Sequence, residues 1–135
     1  MLADRIPEIM AIQPPATAEQ IDALAAALGL VLPDAYRALL GEANGVSASR
    51  VQVYSASEVP ERSTTYEVAR YAPGYLLIGT VSDAPVLLRA GAASPVFEND
   101  WGGMTPDLMM ELAPSLEAWI AAGCPSSSQL RRRAR

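Results

Sequence analysis

Residues Thr17 to Gly45 restrict the fold of this chain more than any other stretch. Thr17 and Gln20 stand three apart, the spacing of a capping box in which each side chain serves the other's orphan backbone N–H. Ile21, Leu24 and Leu28 then recur at helical spacing on one face. Gly29 follows where a helix ends in a left-handed residue, a conformation that lacks a Cβ penalty only for glycine. After Leu30, Val31 and Leu32, Pro33 is expected at a first helical position, where its missing N–H costs nothing. Tyr36, Leu39, Leu40 and Ala43 make a second apolar stripe, closed by Asn44 and Gly45. The stretch therefore predicts two amphipathic helices joined by a tight apolar connector.

The rest of the chain reads as strands with one closing helix. Met1 to Ile12 has the spacing of a short helix (Leu2, Ile6, Ile9, Met10), ended by Gln13-Pro14-Pro15. Arg50 to Tyr54 alternates with period two, as a strand with one buried face does. Ser55 to Glu67 is polar and expected as loop, with at most a turn of helix near Ser57 to Val59. Thr64 to Tyr71 suits either a short helix or an extended lead-in. Tyr75 to Ile78 is a continuous apolar run of the kind a central strand shows. Val86 to Leu88 and Val96 to Glu98 follow at hairpin spacing. Asp107 to Leu112 stays ambiguous: Thr105-Pro106 suggests a helix start, while Leu108, Met110 and Leu112 alternate as in a strand. A final helix over about 114–122 presents Leu116, Trp119 and Ile120. The order of helices, strands and helix predicts an α+β domain, an antiparallel sheet of about four to six strands covered on one face by helices. Residues 1–125 are expected as one domain and 126–135 as a disordered basic tail.

Charge and chemistry narrow the function classes. Through Leu130 six arginines face fifteen acidic residues, a net charge of −9, and four further arginines lie in the last five positions. An acidic body repels nucleic acid and membrane headgroups and attracts basic proteins. The longest apolar run, Ala23 to Leu32, is about half the length a membrane span needs. No signal sequence is visible, since Asp4 and Arg5 interrupt the N-terminus, so a cytoplasmic protein is expected. The lone Cys124 is expected as a reduced, partly buried thiol.

The chain has no histidine and no lysine. That removes the usual general base, the Schiff-base amine, the P-loop lysine and nitrogen metal ligands from the side chains. Carboxylate pairs remain, Glu98 with Asp100 and Asp107 with Glu111. Such pairs could serve glycoside hydrolysis or bind a hard cation, but solvated surface charges are the simpler reading. No enzyme, cofactor or metal is expected. Trp119 is expected in the core. Trp101, in a loop beside Asp100 and two glycines, either folds back on the sheet or anchors a protein interface.

The run Gly29, Leu32-Pro33-Asp34, Tyr36-Arg37, Leu39-Leu40 and Asn44-Gly45 resembles the SUKH superfamily, domains related to a yeast regulator of cell-wall synthesis and to bacterial immunity proteins. The later order is similar too. Ala72 to Gly79 resembles the family's central strand ending in glycine, Ser82-Asp83 its turn, and Leu112 to Ile120 its closing helix. The resemblance covers about residues 17–122. Ala84-Pro85 departs from it, where the family often has glycine or a polar residue. It makes Leu32, Pro33, Tyr36, Leu40, Asn44, Gly45, Gly79, Asp83 and Trp119 structural positions, with the Tyr36 hydroxyl expected to reach a backbone group. It implies an immunity protein that binds and neutralises a toxin encoded nearby, such as a nuclease or deaminase. The alternative is a regulatory or scaffolding interaction domain. The partner expected is a basic protein rather than nucleic acid or membrane, met by Glu58, Glu61, Glu98, Asp100 and Trp101.

Overall fold

Chain order and spatial order coincide in the sheet. The computed structural model describes residues 2–134, and among these seven strands pair antiparallel, each with its neighbour in sequence. They are β1 (Ile9–Ile12), β2 (Val46–Ala48), β3 (Val51–Val53), β4 (Tyr75–Val81), β5 (Ala84–Arg89), β6 (Val96–Glu98) and β7 (Met110–Ala113). Helices α1 (Ala18–Leu28) and α2 (Asp34–Glu42) lie between β1 and β2 in the chain. Helices α3 (Glu58–Thr65) and α4 (Val68–Tyr71) lie between β3 and β4, and α5 (Leu116–Ala121) and α6 (Ser127–Arg133) follow β7. Helices α3 and α4 pack against β4, and α5 and α6 against β7.

The centre of the sheet is its driest part. Leu76, Leu77, Ile78 and Val81 of β4 and Val86, Leu87 and Leu88 of β5 are all buried. Two residues, Ser82 and Asp83, join these strands with φ of +48° and +67°. Positive φ at both central positions makes a type I′ hairpin, whose twist matches that of the strands it joins. The strand does not end at Gly79, as expected, but continues to Val81. Gly79 lies at a bulge, where a Cβ would collide with the Gln52 carbonyl of β3. Glycine is needed there to let two backbones approach.

The helical stretch forms as its sequence predicts. Thr17 Oγ1 accepts from the Gln20 N–H at 3.1 Å, and Gln20 Oε1 accepts from the Thr17 N–H at 2.8 Å. Gly29 is left-handed. Pro33 sits one residue earlier than expected, as the cap whose carbonyl accepts from the Arg37 N–H. Leu32, Tyr36, Leu39 and Leu40 are fully buried. Asn44 Oδ1 accepts from the Ala56 N–H at 2.7 Å, tying the helix pair to the chain after β3. Gly45, at φ +106°, passes so close to Val53 and Ser55 that a Cβ would stand 3.3 Å from their backbone atoms. The Tyr36 hydroxyl reaches no backbone group: it is buried without a hydrogen-bond partner, and burial raises its pKa.

Four further expectations are corrected. The sheet has seven strands among the described residues, not four to six. The N-terminal segment is not a helix beyond a 3₁₀ turn at Ala3–Arg5; Ile6 is buried after that turn, and the residues from Ile9 form β1, which pairs with β2. The polar stretch after Ser55 is largely α3, which tolerates Pro60 because the first helical turn needs no N–H there. The last segment is not a disordered tail over 127–133. Ser126 and Gln129 form a second capping box, Arg50 Nη1 donates to Gln129 Oε1 at 2.9 Å, and Leu130 packs against the core. The ambiguous stretch resolves into both alternatives, a 3₁₀ turn at Pro106–Leu108 and then β7.

Candidate functional site

The loop after β6 is held from within. Asn99, almost fully buried, donates through Nδ2 to the Thr105 carbonyl at 3.0 Å and accepts the Asp100 N–H through Oδ1. Asp100 Oδ1 accepts the Gly102 N–H at 3.0 Å, leaving the carboxylate at the surface. Trp101 folds back rather than projecting. Its Nε1–H donates to the Asp83 carbonyl in the β4–β5 turn at 2.6 Å, and its ring lies 4.3 Å from that of Tyr66 at the end of α3. One half-buried indole thus joins the β6–β7 loop, the central hairpin turn and α3.

That contact joins helix α3 to the loop after β6. Glu61 is exposed on α3. Glu58, at the start of α3, accepts the Ser55 N–H through Oε1 at 3.0 Å, and its Oε2 lies 3.9 Å from Arg62. The Arg62 guanidinium stands 5.2 Å from the centre of the Tyr54 ring. Burial pushes the Tyr54 hydroxyl pKa up, against the pull of Arg62. A helix of this length spans about 12 Å, and the Trp101–Tyr66 contact ties its C-terminal end to the loop that carries Asp100. Tyr66 and Arg62 belong to this surface and were not foreseen. The sequence signal for Tyr66 was only an aromatic at the end of a polar stretch.

Glu98 does not belong to the surface. It is buried under α6, with Oε1 accepting the Ser127 N–H at 2.9 Å and Oε2 accepting the Ser127 hydroxyl. It is an internal clasp, and the expectation that it meets a partner fails because α6 covers it. Trp119 is in the core, its Nε1–H donating to the Pro125 carbonyl. Cys124 is buried, and burial pushes its thiol up to about 12, with Arg50 pulling weakly the other way. Among the described residues no cluster of three or more His, Cys, Asp or Glu is placed to hold a metal, and no helix is long and apolar enough to cross a membrane.

The surface built in this way is acidic, aromatic and held by backbone bonds. It can present carboxylates and half an indole to a cationic protein. No curated protein matches the chain. The profile of the SMI1/KNR4 family (SUKH-1) matches residues 15–122.

Proposed function

The chain belongs to the SMI1/KNR4 (SUKH-1) family, which includes immunity proteins, and from that premise we propose that it is an immunity protein that neutralises a cognate toxin by binding it. The family match over most of the chain carries this reading. The charge of the body supports it, since an acidic surface steers a basic partner and raises its association rate. The contact surface is α3 with the loop after β6: Glu58, Glu61, Asp100, and the Trp101–Tyr66 pair between them. Asp100 and Glu61 are exposed and free to meet cations. Trp101 offers an indole edge beside them.

The test is titration of the chain against the product of the adjacent gene at low and high salt. Tight binding that weakens as salt rises is expected, because exposed charges act over only about 8 Å at physiological ionic strength. Glu61→Arg with Asp100→Arg should slow association with the fold intact, and rim pairs of this kind act mainly on the on-rate. Binding indifferent to salt and to both reversals moves the interface elsewhere. Failure to bind any neighbouring product favours a regulatory or scaffolding role.

A further inference from the structure

Three clefts adjoin one another along α1 and α3, each sharing lining residues with the next. The first, of about 510 Å³, lies by β2 and β3 and is lined by polar residues including Gln13, Gln52 and Glu58. It shares Gln20, Asn44 and Ser57 with a second cleft of about 280 Å³, walled by the small side chains of Ala23, Ala27 and Ala56. That cleft shares Ala27 and Pro60 with a third, of about 530 Å³, lined by Leu28, Leu30 and Tyr75. The clefts adjoin in a row, which we call the groove, polar at one end and more apolar at the other. Its path beside α1 from Gln20 to Leu28 is about 12 Å long at 1.5 Å per residue, and Leu30 lies beyond the helix end. An extended chain of about five residues covers that length.

The hydrogen-bonding groups at the polar end are half used. Gln20 Oε1 is taken by the Thr17 N–H and Asn44 Oδ1 by the Ala56 N–H. The amide nitrogens of both side chains have no protein acceptor among the described residues, so they offer donors for carbonyl oxygens. Glu58 is the one charged residue lining this end, and its Oε2 has only Arg62 at 3.9 Å. No cation lines it, so a phosphate-bearing ligand would meet a carboxylate. At the far end Glu67 and Arg70 pair with each other at 3.4 Å and leave the wall apolar and nearly neutral. Donors for main-chain carbonyls, one carboxylate and a distant apolar wall describe a peptide of defined polarity.

We propose that this groove takes an extended segment of the partner protein, with an arginine or lysine against Glu58 and an apolar side chain between Leu28 and Tyr75. This inference rests on the protein-binding reading above, and it continues that surface, because Glu58 begins the helix whose far end, at Tyr66, packs on Trp101.

Isotope-labelled protein titrated with short peptides tests it. The peptides are about five residues long, with arginine at one end and leucine at the other, in both orders. Controls carry glutamate in place of arginine. Shift changes confined to the groove, with at least one arginine peptide and neither glutamate peptide, are expected. Ala27→Trp, which fills the middle of the groove from an exposed helix position, should abolish them. Glu58→Gln, which keeps shape and removes charge, should weaken binding by about tenfold. No groove shifts with any peptide, or equal shifts with the glutamate controls, overturns the proposal. The partner protein separates the two readings. If it binds the Ala27→Trp chain as tightly as the parent, the groove is not its site and the acidic surface still stands. If it does not bind the parent chain, the acidic-surface reading falls, and the peptide titration still decides the groove.

Discussion

At one edge of the sheet β7 has α5 and α6 packed against its second half, where Leu112 and Ala113 are buried, while its first half, Met110 at 38% and Glu111, is exposed. At the other edge β1 pairs with β2 and leaves Met10 73% exposed and Ile12 39% exposed. The lidded edge is built from a buried tryptophan, a buried carboxylate and a capped basic helix. The open edge is four uncharged residues with a bulge between Ile9 and Ala11. Edge strands pair with other chains unless they are short, charged, bulged or covered. This protein covers one edge with its C-terminus and keeps the other short and bulged. Helix α5 lies within the residues that match the family and α6 lies beyond them, so only the α6 half of the lid falls outside the matched region.

The comparison breaks if the lidded edge tolerates damage or the open edge does not. Trp119→Ala should cost about 3–5 kcal/mol in chemical denaturation, through lost burial and the cavity left under β7. A near-neutral result would mean α5 contributes little there. Deleting residues 126–135 should cost less, about 1–3 kcal/mol, because it removes the bonds from Ser127 to Glu98 and from Gln129 to Arg50. The same deletion should speed thiol labelling of Cys124 at mild alkaline pH, and unchanged labelling and stability would remove the lid from the account. In the intact chain the thiol is held protonated up to about 12, against 9.0 in an open chain. The unfolded thiol therefore ionises first, so stability should fall as pH rises from about 9 towards 12, and Cys124→Ala should remove the part of that fall that begins near 9, leaving the part from Tyr36 and Tyr54, whose hydroxyls burial also raises from 10.0. Met10→Lys at the open edge should change stability by less than about 0.5 kcal/mol. A larger loss would show that β1 is packed by something its exposure does not reveal.

How much was legible follows from the range of each interaction. The capping box at Thr17, the left-handed Gly29 and the Tyr36 to Leu40 stripe are local, and all could be read within a few residues. Strand β1 could not, because Leu2, Ile6, Ile9 and Met10 fit a helix until β2 arrives from beyond two intervening helices. Strand β2 is three residues long, too short for a period-two signal. Ser126 and Gln129 carry the same capping pattern as Thr17 and Gln20, but the arginine run after them suggested a solvated end. For the candidate site, the acids and Trp101 were visible as types, and their grouping through Tyr66 was not. Glu98 misled because the partner of an inward carboxylate lies 29 residues further on.

The meander has a kinetic consequence. Every strand adds beside one already placed, and the two-residue turns at Ser49-Arg50 and Ser82-Asp83 close the smallest loops in the sheet; of these two hairpins β4–β5 is the longer and drier, so β4 and β5 can pair stably before any long segment is ordered. Loop-closure entropy makes such local pairing fast and distant pairing slow. The nucleus should therefore form at the central hairpin, with large φ-values at Leu77 and Leu87 and small ones at Ile12 and Leu112; the reverse ranking would place the nucleus at an edge. On that route the open and the lidded edges are both finished last, and a chain halted before α6 docks would expose two unpaired edges instead of one.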